Sequence, residues 1–256
     1  MSRSMWLTYR RANRRIKEKT AWLLEIGPSS PSRRPGTPPA RPTPLRSARR
    51  SRPDCAGPGI GTSESSTSDT YTDGYCLFNI VANCGTGIFV QQSGGWLVMG
   101  NHVYTVQTHG MVLGDMWNTK VIGNQIDQWG QSASKNVYRA IDGCQYPSWG
   151  GMNVLMGNVI DVMDAPGNSA SSLEGMNLAC QESAGCVATW TVTGNNLQCE
   201  PAGGAFTYAN PLVVTNTAAA NVTNLASAGN QVIGNWSTKT WVTVPNGGTI
   251  NHTAGI

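Results

Sequence analysis

Short alternations of aliphatic and polar residues recur along the chain around a repeated Gly-Asn pair. The pair occurs as Val98-Met99-Gly100-Asn101, Val121-Ile122-Gly123-Asn124, Leu155-Met156-Gly157-Asn158, Val192-Thr193-Gly194-Asn195 and Val232-Ile233-Gly234-Asn235. Two positions before each Gly stand Val98, Val121, Leu155, Val192 and Val232; three after it stand Val103, Ile126, Ile160, Leu197 and Ser237. Alternation with period 2 on both sides of a tight turn predicts two short strands per copy, each turning its aliphatic residues inward, with Gly or Asn in the left-handed conformation that the bend requires. The five Asn residues are expected to stack from copy to copy and share amide hydrogen bonds. The landmarks Gly87 and Gly110 also lie 23 residues apart, and the Gly-Asn intervals are 23, 34, 37 and 40. This pattern predicts an all-β fold, a parallel β-helix (solenoid) of about five to seven coils, in which added residues become loops on one face. The first lengthening is expected around Gly143-Cys144-Gln145-Tyr146-Pro147-Ser148-Trp149-Gly150.

Charge divides the chain of 256 residues into two parts. Residues 1–52 hold 14 Lys and Arg against Glu18 and Glu25, a net of +12, whereas residues 53–256 carry −8. The first part, with Arg33-Arg34-Pro35 and Arg49-Arg50, has almost no apolar periodicity after Ile26. It is expected to be disordered over 1–56. Its Arg/Pro/Ser composition and its sharp edge near Cys55 fit a non-native start joined to a real domain better than an arm for nucleic acid. Residues 57–73 read as a Gly/Ser/Thr linker and 74–256 as the β-helix domain. No apolar run approaches the length of a membrane-spanning helix. Trp22-Leu23-Leu24, followed by Glu25, is too short for a secretory h-region.

The segments Gly95-Trp96-Leu97-Val98-Met99-Gly100-Asn101-His102-Val103-Tyr104 and Lys120-Val121-Ile122-Gly123-Asn124-Gln125-Ile126 resemble right-handed parallel β-helix proteins of the pectin-lyase-like superfamily. The likeness covers roughly 87–240 and is nearest to the pectate-lyase or glycoside-hydrolase-like group of secreted bacterial proteins and phage tailspikes. The resemblance implies a polysaccharide partner, an acidic glycan first of all, and a secreted or virion-surface setting. It is compatible with a homotrimer, and it implies no cofactor. Thr108-His109-Gly110-Met111-Val112-Leu113-Gly114 is similar to the His-Gly strand motif of polygalacturonases, in which the His supports an Asp cluster.

Candidate chemistry lies in two outward columns. Aligning Gly110–Asp115 with Val137–Asp142 places Asp115 beside Asp142. The positions four after each turn Gly read Tyr104, Asp127, Asp161, Gln198 and Thr238, which places Asp127 beside Asp161. Carboxyls stacked at the coil spacing of about 4.8 Å approach the roughly 5–5.5 Å of retaining glycosidases, whereas the 6.5–9.5 Å gap of inverting enzymes requires a diagonal or a skipped coil. Repulsion within such a pair raises one pKa and sets an acid beside a base. His109 is a further catalytic candidate, although a satisfied turn histidine is the simpler reading; His102 and His252 show no partner pattern. Trp117, Trp129, Arg139, Tyr146 and Trp149 are candidates for substrate contact, since Trp and Tyr give sugars flat apolar platforms with a polar edge. No zinc or calcium spacing is present, so no metal is expected. Cys76/Cys84 and Cys180/Cys186 are spaced to pair or to stay as buried thiols. Two functions follow: a polysaccharide hydrolase or lyase, and a non-catalytic glycan-binding or structural β-helix module such as an adhesin, tail fibre or stalk.

Overall fold

The computed structural model describes residues 56–62, 73–145, 151–180, 185–200, 209–237, 242–244 and 247–254. These contain strands and no helix. The chain winds through successive coils of up to three strands. The first coil has β1 (Ile60–Thr62), β2 (Tyr75–Leu77) and β3 (Ile80–Cys84); the second has β4 (Ile88–Val90), β5 (Leu97–Met99) and β6 (His102–Val106). The third has β7 (Met111–Leu113), β8 (Lys120–Ile122) and β9 (Gln125–Asp127), and the fourth β10 (Val137–Gln145), β11 (Met152–Met156) and β12 (Val159–Val162). The fifth has β13 (Ser172–Cys180), β14 (Val187–Thr193) and β15 (Asn196–Cys199), and the sixth β16 (Ala209–Asn216), β17 (Val222–Ala228) and β18 (Gln231–Gly234). Strands β19 (Val242–Val244) and β20 (Thr249–Ala254) begin a seventh.

Each strand pairs in parallel with its equivalent one coil away, which builds three parallel sheets. The first sheet runs β1-β4-β7-β10-β13-β16-β19, the second β2-β5-β8-β11-β14-β17-β20, and the third β3-β6-β9-β12-β15-β18. This is a parallel β-helix-like topology. Strand β1 falls inside the stretch read as a linker over 57–73, and it pairs Ile60 with Ile88, so the solenoid begins before Gly74. Of the segment 1–56 read as disordered, residues 1–55 lie outside the described residues.

The aliphatic columns form the interior. Val98, Val121, Leu155 and Val192 stack in one, and Val103, Ile126, Ile160 and Leu197 in the other, all of them buried. A buried side chain of this size contributes about 1.5–3 kcal/mol relative to an exposed one. Cys76 and Val81 extend the columns by one coil toward the N terminus. At the other end the register differs from the expected one. Val192 pairs with Ser227 and Leu197 with Val232, so the sixth turn is Gly229-Asn230 rather than Gly234-Asn235. Val232 thus belongs to the column in which Ser237 was the exception. The Val-Ile-Gly-Asn string at 232–235 matches the repeat in letters but sits past the turn.

The Asn residues stack. Asn79 Nδ2 donates to Asn101 Oδ1 at 2.9 Å, Asn101 to Asn124 at 2.9 Å, and Asn124 to Asn158 at 3.0 Å. Asn158 then donates to Asn195 at 2.9 Å and Asn195 to Asn230 at 2.8 Å. The second Nδ2 proton of each internal Asn goes to a carbonyl of the preceding coil, as in Asn158 to Val121 O at 3.0 Å. Each internal Oδ1 accepts a backbone N–H as well, as Asn158 Oδ1 does from Asn124 N at 3.0 Å. No internal rung therefore buries an unpaired amide. Asn235 is exposed and takes no part. Asn79 was hidden because Phe78, with φ of 55°, occupies the turn position that Gly holds elsewhere.

The first sheet lengthens from the three residues of β7 to the nine of β10 and β13. Pairing of Ile141 with Met111, and of Val154 with Lys120, shows where residues were added. Most of the addition lies between Asp127 and Ile141, ahead of β10, and less lies in the stretch around 143–150. Residues 146–150 are outside the described residues.

Candidate functional site

The outer face of the third sheet collects the carboxylates. Because Val103, Ile126, Ile160 and Leu197 point inward, the next residues along the strands, Tyr104, Asp127, Asp161 and Gln198, point outward. They align coil to coil, with Asp127 directly beside Asp161, as the repeat spacing predicts. The residue beside Gln198 is Ile233; Thr238 lies outside the described residues.

Asp127 is held on one side only. His102 Nε2 lies 2.7 Å from its Oδ2, and Gln125 Nε2 donates to the same oxygen at 3.0 Å. The Tyr104 ring rests against His102 with centroids 4.8 Å apart. Asp127 is 5% exposed, and its buried Oδ1 has no hydrogen-bond partner in the protein. Asp161 is half-buried, and its Oδ1 likewise has no partner. Burial raises the Asp161 pKa first, and the charges of Asp127 and Glu200 raise it further.

Glu200 continues the strand face beyond β15. Its N–H donates to Val162 O at 3.1 Å, which carries the parallel ladder one residue past Cys199 and leaves the Glu200 side chain exposed. It stands two residues past Gln198 and therefore diagonal to Asp161. With about 4.8 Å between strands and about 3.3 Å rise per residue, that diagonal is about 8 Å. The sequence reading found no partner pattern for His102 or His252, whereas His102 meets Asp127 and His252 Nε2 lies 2.8 Å from Ser227 Oγ; Glu200 was not singled out. The signal for His102 was present: it lies two positions before Tyr104 on the same outward face.

The first sheet corrects the other pair. Asp142 aligns with Val112 and Asn177, not with Asp115, because the coil grew ahead of β10 and shifted the alignment by three residues. Both Asp142 oxygens are occupied: Oδ1 accepts from Asn177 Nδ2 at 2.8 Å, and Oδ2 from Arg139 Nη1 at 3.2 Å. Arg139 Nε donates to Glu174 Oε2 at 2.7 Å, and Glu174 is 7% exposed. Burial opposes the Arg139 charge, and Asp142 and Glu174 more than offset it. Asp115 follows β7 at φ of 47°. Asp115 and Asp142 both act on Cys144, whose thiol is pushed up to about 12 by burial first and then by Asp142 and Asp115. His109 Nδ1 accepts the Arg139 N–H at 3.0 Å, and burial lowers its pKa despite the Asp142 charge. It is a neutral, satisfied histidine that fixes the start of β10.

Among the aromatic candidates, Trp129 is 1% exposed and its indole N–H donates to Tyr138 O at 3.3 Å. It is a core residue, because the lengthened fourth coil leaves room for a large ring in the interior. Trp117 is half-buried and packs over Gly94. Tyr146 and Trp149 lie outside the described residues. Among the described residues, no group of three or more His, Cys, Asp or Glu side chains is placed to hold a metal ion. Cys180 and Cys186 form a disulfide, whereas Cys76 and Cys84 are separate buried thiols.

No protein-family profile, curated protein or solved structure matches the chain. The geometry of the third sheet is therefore the ground for a functional reading. It offers a half-exposed carboxyl with a raised pKa, an exposed carboxylate on its diagonal, and a buried carboxylate beneath, tied to a histidine.

Proposed function

We propose that this chain is a right-handed β-helix of the pectin-lyase-like kind that hydrolyses a glycan on the outer face of its third sheet. Asp161 is the general acid and Glu200 the general base. The observation that carries the reading is the environment of Asp161, where burial and the neighbouring carboxylates favour the protonated form of a carboxyl that solvent still reaches. In this reading Asp161 protonates the glycosidic oxygen, and Glu200 takes a proton from the water that attacks the anomeric carbon from the opposite side. A backbone diagonal of about 8 Å between two side chains on one face is compatible with the 6.5–9.5 Å between carboxyls that leaves room for that water, so the reading implies inversion. Asp127, too buried to touch substrate, acts as a positioning residue whose charge holds the proton on Asp161.

The burial of Asp127 also supports a second reading, a non-catalytic glycan-binding module that uses the same face. The Cys180–Cys186 disulfide supports an oxidising setting, in keeping with a secreted or virion-surface protein. Reducing-end release from neutral, amino-sugar and uronate polysaccharides tests the proposal. Asp161→Asn and Glu200→Gln are each expected to lower release at least about a hundredfold, in line with general acid–base contributions. Asp142→Asn, on the first sheet, is expected to leave it unchanged. Binding without release from any substrate selects the module; release that depends on Asp142 instead moves the site to the first sheet.

A further inference from the structure

The outer face of the second sheet changes character along the solenoid. Where Cys76, Val98, Val121 and Leu155 point inward, their neighbours along the strands point out and stack in two columns. One column holds Leu77, Met99, Ile122 and Met156, and the other Tyr75, Leu97, Lys120 and Val154. From the fifth coil onward the first continues as Thr193 and Ala228, and the second as Thr191, Ala226 and Thr253. The same backbone therefore accepts Thr and Ala at these positions, and folding does not call for the apolar side chains of the first four coils.

That apolar strip is open. Tyr75 is 75% exposed, Met156 40%, and Met152, two residues before Val154, 55%; the rest of the two columns, Lys120 aside, is half-buried. Phe78, 70% exposed, lies over Gly100 at the turn and carries the strip around the corner to Ile80. With about 150–250 Å² on each aromatic side chain, Tyr75 and Phe78 leave about 300 Å² open. Ile80, the two exposed methionines and the half-buried residues bring the strip to about 700 Å², beyond the roughly 300–600 Å² of the largest patch on a typical monomer and close to the about 800 Å² that one partner contributes to a stable complex.

Its composition is that of an interface core, where Tyr, Phe and Met are enriched and charges depleted. No strand of the second sheet contains Asp or Glu, and Lys120 is its one Lys or Arg. The Lys120 stem adds apolar surface while its ammonium stays in water at the rim. Every copy of the chain presents the same flat strip, so two copies cover each other's in an isologous contact that uses each residue twice.

We infer that two copies of this chain pack through the second-sheet strip of the first four coils. The contact lies on a different sheet from Asp161 and Glu200 and stands apart from the glycan reading.

Sedimentation equilibrium of the full chain tests this, and the parent is expected to approach twice the chain mass as concentration rises. Met156→Glu and Tyr75→Glu, both at exposed outward positions, should each weaken association at least about tenfold. Thr191→Glu, in the same column but beyond the strip, should leave it unchanged, and thermal melting checks that all three variants fold. Oxidation of Met152 and Met156 by peroxide, followed by peptide mass spectrometry, should be slow in concentrated protein and quicken on dilution. A parent that stays monomeric overturns the inference: oxidation that is slow at every concentration then assigns the strip to another segment of the same chain, and fast oxidation leaves it to a different partner. Association that survives both strip variants places the contact between copies elsewhere and overturns the inference as well.

Discussion

Asn158 and Asn195 lie 37 residues apart in sequence, yet the Nδ2 of one donates to the Oδ1 of the other at 2.9 Å. Asn158→Ala would strand the backbone N–H and Nδ2 of Asn124 and take from the Val121 carbonyl its Nδ2 donor, while Asn195 Oδ1 keeps the backbone N–H of residue 158. Each buried group left unsatisfied costs about 1–3 kcal/mol, so the substitution is expected to cost at least about 3 kcal/mol in urea unfolding. Asn235→Ala, at an exposed position outside the ladder, should stay within about 0.5 kcal/mol of the parent. A large loss at Asn235 would return the last turn to Gly234.

Glycines at the turns should respond unequally. Gly100 and Gly157 have φ of 67° and 64°, so either Ala substitution meets left-handed strain of about 1 kcal/mol. A Cβ on Gly157 meets nothing, whereas one on Gly100 runs into the Phe78 ring. Gly100→Ala is therefore expected to lower the unfolding midpoint by clearly more than Gly157→Ala. Equal losses would show that the Phe78 ring yields freely.

The repeat was legible because burial and backbone conformation act on every coil alike. Inward Val, Ile and Leu, and the Gly-Asn turn, mark four consecutive coils from Gly100 to Asn195. The ends were less so: Phe78 stands in for Gly at one, and a chance Val-Ile-Gly-Asn string competes with the working Gly229-Asn230 at the other. The pairing of Asp127 with Asp161 followed from the same columns. The pairing of Asp115 with Asp142 did not, since insertions ahead of β10 changed an alignment that letters alone leave free. Glu200 was invisible as a site residue because its importance comes from a diagonal across strands, and Trp129 looked like a surface platform because side-chain direction is lost in a lengthened coil.

Asp161 links stability to pH with a definite sign. Its folded pKa is raised, so the folded chain holds that proton more tightly than the unfolded chain. Ionisation then works against folding as pH rises past the unfolded carboxyl value of about 3.9, and no penalty remains below it. Asp161→Asn is expected to melt at a higher temperature than the parent at pH 7 and at the same temperature near pH 3. A lower melting temperature for the variant at pH 7 would mean that the ionised carboxylate is stabilising. On the proposed function, this variant exchanges activity for stability.

The Arg139 cluster should behave as structure. Arg139→Met leaves Glu174 buried without its guanidinium, and breaking such a pair from one side costs about 3–5 kcal/mol. Glu174→Gln, which keeps an acceptor for Arg139, should cost less. Guanidinium denaturation of the two variants gives the comparison, and a reversed order would mean that the Glu174 carboxylate is stabilised by something other than Arg139.

Cys144 offers a chemical readout of the first sheet. With its thiol pushed up to about 12, it should alkylate slowly at pH 8.5. Asp142→Asn removes one of the charges that raise it and should speed modification severalfold, as followed by peptide mass spectrometry. An unchanged rate would leave burial and the Asp115 charge as the causes.

The ladder from Asn79 to Asn230 has a direction: every linking Nδ2–H points toward the C-terminal coil and every accepting Oδ1 toward the N-terminal one. The amide dipoles therefore add head to tail through the interior of the corner, and each polarises the next by about 10–30% per bond. A gap in the middle divides one long dipole into two short ones, whereas a gap at Asn79 or Asn230 only trims it. The same amide is thus worth more in the fourth coil than in the first or the sixth, although its hydrogen-bond lengths are nearly the same.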